Sequence, residues 1–531
     1  MDSGPEDSAD NAITSKRDLE DFARLWITFK GITEMVKTGG VTLQLEWKPT
    51  DGSTSWPTAD GNPAIKVYKA ADADGGRKYL EEDATAISQT TSPYSTAYGL
   101  VGKGTPLTLT LSPITLANLS ESQPNLYLLF EGVGAGKGRL VLNLIKGGQK
   151  IGEYPPLYND LMDVRKMYER AKAQPENIQA PYDNLTAPFT GPVNYVADPW
   201  NWAFVKAPDE TKQCIVFVHG WNCGYSDFLV TGSTMFKRLW HRGFKGHFAT
   251  LRWETRKVDG CLDPGEYNRS ENRAWVYGDA LKQWITSLQG SGYRVSLIAH
   301  SMGNVVAGEA LRRGAPVVNY LMMEAAVPAS CYDTNAATVA PLVTAESSKP
   351  TPDWNVDPGN NEATKGYRGY LQQPLTGQLN IVNFFNPDDF ALATGQVTDV
   401  CGIPFRKDAN WEKNQEDYKP DGHALNDWLY SYSTHYLIGG QPIPLAQRAK
   451  LTLFSNQSRY VADTWEMKAF VARSRTKAAG AGSIGGCVDE NISLKAQYGF
   501  GTARSDHSGQ FTRRIQLVDD LYRLIREKAE Q

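Results

Sequence analysis

Residues Val295–Val306 read VSLIAHSMGNVV. Strand-forming and core-forming residues lead into His300, Ser301 and Gly303, and the chain turns apolar again at Val305 and Val306. The pattern predicts a buried strand ending at a tight turn, followed by the helix MGNVVAGEALRR. A serine on such a turn is a nucleophile elbow, in which the sharp bend lifts the hydroxyl above the sheet edge. Ala299 and Gly303 lie two positions either side of Ser301, where strand and helix approach closely. The usual pattern has glycine at both places, and alanine at the first is a mild departure. The helix N-terminus behind the turn favours negative charge. The competing reading, a buried capping serine, fits the strand–turn–helix setting less well.

Working outward, the chain after Trp200 alternates short apolar strands with helices. CIVFVHG, GFKGHFATLRW, VVNYLMMEAAV and LNIVNFF read as strands. ENRAWVYGDALKQWITSLQG places Ala274, Tyr277, Leu281, Trp284 and Leu288 on one helical face, and IQLVDDLYRLIREKA closes the chain as a helix. Continuous apolar strands between helices predict a mostly parallel sheet covered on both faces, an α/β arrangement.

A serine nucleophile needs a base, and the base needs an orienting acid. On an elbow of this kind the chain order is serine, acid, histidine. His219, His241, His247 and His300 precede or adjoin Ser301 and are excluded as the base; strand alternation turns His300 away from the serine. Of His423, His435 and His507, the last lies in SDHSGQF, a polar loop just before the closing helix. The acid should follow a strand between the two, and LNIVNFFNPDDFAL supplies Asp388 and Asp389. Pro387 fixes a turn there. Asp388 lies on the turn, where a carboxylate commonly bonds local backbone N–H groups, and Asp389 precedes the anchoring FAL. The expected oxyanion donors are the backbone N–H of Met302 and one from the loop FVHGWNCG, where Trp221 or Asn222 is placed to give it. Gly220 lets that loop bend toward the serine, and His219 is expected to scaffold it.

The rest of the chain is less specific. Its 531 residues suggest two to four domains. A formal net charge of -4 speaks against a nucleic-acid binder. No apolar run is long enough to span a membrane. The start, MDSGPEDSADNAI, lacks the basic and apolar regions of a signal peptide, so the protein is expected in the cytoplasm, or outside it if a leader has been removed. Cys214, Cys223, Cys261, Cys331, Cys401 and Cys487 fit no zinc spacing and read as buried thiols, with one or two disulfides as the alternative. Residues 1–20 read as a disordered tail. Residues 21–152 show period-two alternation, as in VTLQLEW and PLTLTLS, and predict an antiparallel β-sandwich. NLYLLFEGVGAGKGRLVLNLI reads as two strands around a turn at Gly132–Gly138. Leu157, Leu161, Val164 and Met167 predict an amphipathic helix, and Pro175–Pro199 a linker, so that 153–200 joins the sandwich to a catalytic unit over 201–531. Stretches near 329–378 and 398–458 exceed what a minimal sheet needs and read as pocket walls. In the second, Trp428 and Tyr432 suit a substrate ring.

FVHGWN, LIAHSMGNVV, FFNPDDFAL and DHSGQF, in that order, resemble the α/β-hydrolase superfamily. The similarity is closest to bacterial esterase- and lipase-like members carrying H-G-[YFW]-N and A-H-S-M-G-N. It covers roughly Ala203 to Glu530. In similar hydrolases the acid region runs aromatic, Asn, two variable residues, Asp, one variable residue, Ala-Leu. Laid on this chain from Phe385 to Leu392, that pattern selects Asp389. The resemblance implies a carboxylic ester hydrolase with Ser301 as nucleophile, His507 as base and Asp389 as orienting acid. Met302 and Trp221 would hold the oxyanion, and Asn222, Trp428 and Tyr432 would meet substrate. It implies no metal and no organic cofactor. Its partner would be a small-molecule or polymeric ester, and the oligomeric state is left open. An amidase, lipase, phospholipase or acyltransferase would use the same residues. The reading from another class is an inert fold whose β-sandwich binds a polysaccharide or protein partner.

Overall fold

A computed structural model describes residues 22–48, 61–69, 97–175, 193–197, 204–206, 210–255, 264–327, 332, 379–389, 437–438, 441–442, 488–501, 504–512 and 515–531. The described residues form two large sheets and one small hairpin.

The first sheet is antiparallel. It contains β1 (Phe22–Thr28), β2 (Thr42–Lys48), β3 (Gly61–Lys69), β4 (Ala97–Gly102), β5 (Leu107–Leu109), β6 (Asn125–Lys146), β7 (Gln149–Glu153) and β8 (Leu157–Leu161), with short helices α1 (Thr33–Lys37) and α2 (Pro113–Asn118) between strands. Alternation holds along β2: Leu43, Leu45 and Trp47 are buried in the core of this sheet. The indole of Trp47 donates to Val101 O at 3.1 Å. One expectation fails here. β6 runs unbroken through Gly132–Gly138, where a turn was predicted. The glycines serve close approach instead. A Cβ on Gly134 would lie 2.6 Å from Asn62 O, and the register of β3 slips beside it. β6 thereby pairs with β1, β2, β3, β7 and β8.

The helix expected over Leu157–Met167 is also overturned. That stretch is β8, then a 3-10 turn at Val164–Lys166, leading into β9 (Glu169–Pro175). Asp163 caps the turn by accepting from Arg165 N at 3.0 Å and pairing with the Arg165 guanidinium at 2.7 Å. Leu161, Val164 and Met167 are buried, but not on one face: Leu161 joins the first core, and Val164 and Met167 join another. A helical period arose from residues that serve two separate cores.

The second sheet has the strand order β10-β9-β12-β11-β13-β14-β15-β18. It adds β10 (Val193–Ala197), β11 (Gln213–Val218), β12 (His247–Arg252), β13 (Arg294–His300), β14 (Asn319–Met323), β15 (Asn380–Phe385) and β18 (Glu490–Ser493); β16 (Leu437–Ile438) and β17 (Gln441–Pro442) form the hairpin. All pairings in it are parallel except that of β10 with β9. The stretch read as a linker thus contributes an edge strand. The helices are α3 (Tyr225–His241), α4 (Pro264–Gly290), α5 (Gly303–Arg312), α6 (Leu494–Tyr498), α7 (Gly509–Thr512) and α8 (Ile515–Glu530). Apolar residues of α4 and α5 pack one face with Val295, Leu297 and Ala299, while α3 and α8 pack the other with Ile298. A parallel sheet needs both faces covered, and this one has them.

The two sheets are in contact. Phe22 of β1 packs in the α3–α8 core, its ring 6.4 Å from that of Phe236. Beside it, Lys237 of α3 forms a buried ion pair with Glu131 of β6.

Candidate active site

Ser301 follows the last residue of β13 and has φ +52°, in the left-handed region that a non-glycine residue rarely adopts. Two other non-glycine residues share that region among those described, Asn222 (φ +56°) and Glu324 (φ +44°). They follow β11 and β14, the two strands hydrogen-bonded to β13. Backbone strain is therefore concentrated at the carboxyl ends of three adjacent parallel strands, where open α/β sheets hold their ligands.

The turn at Ser301 is held from several sides. Ser301 N donates to Met323 O at 2.9 Å, and Ala326 N donates to Ser301 O at 3.1 Å. The buried Asn304 side chain donates to Ala299 O and Ser301 O, both at 2.9 Å, and accepts from the Tyr320 hydroxyl at 2.9 Å. Two glycines make room. A Cβ on Gly303 would lie 2.4 Å from His219 O, and one on Gly220 would lie 2.8 Å from Ser301 Cβ. Gly220 thus brings the loop bearing Trp221 and Asn222 against the serine. His219 braces that loop from below. Its Nδ1 donates to Gly220 O at 2.8 Å, its Nε2 accepts from Trp253 N at 3.3 Å, and its ring stacks on Trp253. Burial pushes the His219 pKa down to about 4, so the ring is neutral at physiological pH.

The structure brings Ser301, His507 and Asp389 together. His507 Nε2 lies 2.8 Å from Ser301 Oγ, and His507 Nδ1 lies 2.7 Å from Asp389 Oδ2. Asp389 is fully covered on the turn after β15, and its backbone N–H closes that turn on Asn386 O at 3.1 Å. Asp388 faces elsewhere, toward Lys495 at 2.5 Å. His507 sits in a 3-10 segment, Arg504–Ser508, just before α7. That segment is tethered: Arg238 and Tyr522 both donate to Gln510 O, and Gly501 N donates to Asp506. Met302 is buried at the start of α5. Trp428 and Tyr432 lie outside the described residues, as do nearly all of both insertions.

Two residues near the base have no role in the sequence reading. His300 does alternate onto the α3–α8 face of the sheet, but the His507 loop reaches the serine from that same face. His300 is therefore not remote: its ring centroid is 5.1 Å from that of His507. Glu324, a lone carboxylate at the end of VVNYLMME, is fully buried. His300, Glu324 and His507 bring one ligand atom each within 4.8 Å of one another. His507 already engages both ring nitrogens, so a metal there would have to displace Ser301 or Asp389.

Residues 201–321 match the family model described as an alpha/beta hydrolase of unknown function (DUF900). No curated protein matches the chain. Among solved structures, a puromycin-hydrolyzing peptidase of Mycobacterium tuberculosis is 15% identical with a TM-score of 0.22, over 48% of this chain and 37% of that one. A lipase in its open form is 13% identical with a TM-score of 0.17, over 60% of this chain and 79% of that one. The chain thus spans little more than a third of the peptidase's length. The family match falls on the β11–β14 region that carries the elbow, and it supports an α/β-hydrolase fold for the second sheet. Among the described residues no helix is long and apolar enough to cross a membrane.

Proposed function

We propose that this chain is a serine hydrolase that cleaves a carboxylic ester through a Ser301–His507–Asp389 triad. The observation that carries the reading is the line of two short hydrogen bonds through His507, set at the carboxyl ends of β13 and β15. Ser301 Oγ attacks the acyl carbon while His507 Nε2 takes its proton. Asp389 fixes the Nδ1–H tautomer and stabilises the imidazolium that forms. The backbone N–H groups of Met302 and Trp221 hold the tetrahedral oxyanion, with Asn222 at the edge of the acyl site. His507 then returns its proton to the leaving alcohol, and water repeats the sequence on the acyl-enzyme to release the acid. On this reading no metal or organic cofactor takes part. The antiparallel strands before Asp163 are read as a sandwich forming a unit of their own beside the catalytic one.

A fluorophosphonate probe tests the nucleophile. It should label Ser301 in the wild type and leave Ser301→Ala unlabelled. The same substitution should lower hydrolysis of an activated ester on the order of a million-fold, with the melting temperature nearly unchanged. An unlabelled wild type, or an active alanine variant, overturns the proposal. A panel of acyl chain lengths, aromatic esters, phospholipids and amides then separates the ester reading from its neighbours.

A further inference from the structure

We propose that His300 is a positioning residue for His507, locking the backbone of the base to the residue that carries the nucleophile. The inference rests on the reading of His507 as the base. His300 ends β13 and is bonded directly to Ser301. Its Nε2 lies 2.6 Å from the backbone carbonyl of His507, with which it forms a hydrogen bond. A carbonyl only accepts, so His300 must carry its proton on Nε2. Its ring is 7% exposed and stands edge-on to Phe511 at 5.4 Å. Burial, helped by the neighbouring His507, lowers its pKa to about 3. The ring therefore stays neutral at physiological pH and keeps a single donor.

The geometry closes a small ring. From Ser301 the path runs through one peptide bond to His300, across its imidazole to the His507 carbonyl, along the His507 side chain, and back to Ser301 Oγ. The tethers at Gln510 and Asp506 fix the loop at neighbouring residues, while His300 fixes it at the base itself. Nucleophile and base come from segments 206 residues apart, and their separation matters to a fraction of an ångström. A misplacement of about 1 Å can cost on the order of 100-fold in rate. Two acidic side chains face these rings: Asp389, 2.7 Å from His507 Nδ1, and the buried Glu324, which brings a carboxyl oxygen within 4.8 Å of a ring nitrogen of each histidine.

The test compares three replacements: His300→Gln, whose amide N–H can extend to the His507 carbonyl; His300→Asn, whose amide is too short; and His300→Phe, which fills the space without a donor. Turnover of p-nitrophenyl acetate and the rate of fluorophosphonate labelling are read on each. The asparagine and phenylalanine variants should lose about 10- to 100-fold in kcat with KM changed less than about two-fold. The glutamine variant should recover most of the loss. A packing role would track melting temperature and would not separate glutamine from asparagine. Wild-type kcat in His300→Asn, or equal losses in the glutamine and asparagine variants, overturns the proposal and leaves the nucleophile reading intact. Activity retained in Ser301→Ala overturns the nucleophile reading instead.

Discussion

Lys237 of α3 and Glu131 of β6 form an ion pair with both side chains almost wholly covered. It lies where the antiparallel sheet meets the helical layer of the parallel one. Burial alone lowers the Lys237 pKa, because an ammonium out of water is costly without its partner. Removing one member of such a pair leaves a buried charge and typically costs about 3–5 kcal/mol, whereas replacing both with apolar residues can be neutral. Glu131→Gln should therefore lower the denaturant midpoint strongly. Glu131→Leu combined with Lys237→Met should restore most of it. Equal stability of Glu131→Gln and wild type would show that the pair contributes nothing.

The same contact governs what a truncated chain can do. A fragment beginning at Ala203 loses β9 and β10, and with them Ala171, Ala173 and Val193 from the core on the α4–α5 side. It also loses Val164, Met167 and Tyr168 from the α3–α8 side. A fragment beginning at Asp163 keeps both edge strands. With Lys237→Met to remove the stranded charge, the longer fragment should stay soluble and take a fluorophosphonate label at Ser301. The shorter one should aggregate. Soluble, labelled protein from the Ala203 fragment would mean that the edge strands are dispensable.

Adjacent aspartates at 388 and 389 provide a paired control. Asp389 is buried 2.7 Å from His507 Nδ1, and Asp388 is a partly exposed partner of Lys495. Asp389→Asn should preserve the fold but favour the wrong imidazole tautomer, with kcat falling on the order of 10,000-fold. Asp388→Asn removes a surface ion pair and should change stability by less than about 1 kcal/mol, with activity kept. The two are assayed side by side on one activated ester. If Asp388→Asn is the inactive variant, the roles must be exchanged.

Much of this architecture could be read from local pattern, because the deciding features are local. The strand, turn and helix around Ser301 announce themselves by β-preferring residues, small flanking residues and an apolar helix start. The turn after β15 is written in Asn386 and Pro387. What escaped the sequence depends on partners far along the chain. Leu157, Leu161, Val164 and Met167 keep a helical period, yet β6 claims the first two and the second core the others. The glycines of β6 look like a turn until β3 is seen pressing against Gly134. His300 and Glu324 gain their positions from the His507 loop and the end of β14, and no short motif shows that they meet. Trp428 and Tyr432 stand out by residue type alone, and they lie outside the described residues.

At the opposite end of the sheet from Ser301, His247 gives the protein a titration of its own. It begins β12 with its ring 1% exposed, Nε2 2.9 Å from Glu169 and Nδ1 3.3 Å from Glu210. Only a doubly protonated imidazole can donate to two carboxylates at once. Burial opposes the charge, but the hydrogen bonds to Glu169 and Glu210, reinforced by their negative charge, outweigh it and raise the pKa above 6.5. The surrounding groups are Tyr293, whose hydroxyl donates to Glu210 and whose own pKa is raised mainly by burial; Lys206, whose ammonium is 3.9 Å from Glu210; and the buried thiol of Cys214. A pKa higher in the folded than in the unfolded state means that the folded state binds the proton more tightly. The stabilisation is complete below about pH 6.5 and is lost as pH rises through the folded-state value. Wild type should therefore exceed His247→Gln in melting temperature by its widest margin near about pH 6, and the margin should narrow toward about pH 9. Differential scanning calorimetry of the two proteins across that range reads the margin directly. A margin that stays constant or widens with pH would mean that His247 is neutral in the folded protein, and that one of its two carboxylates carries the proton instead.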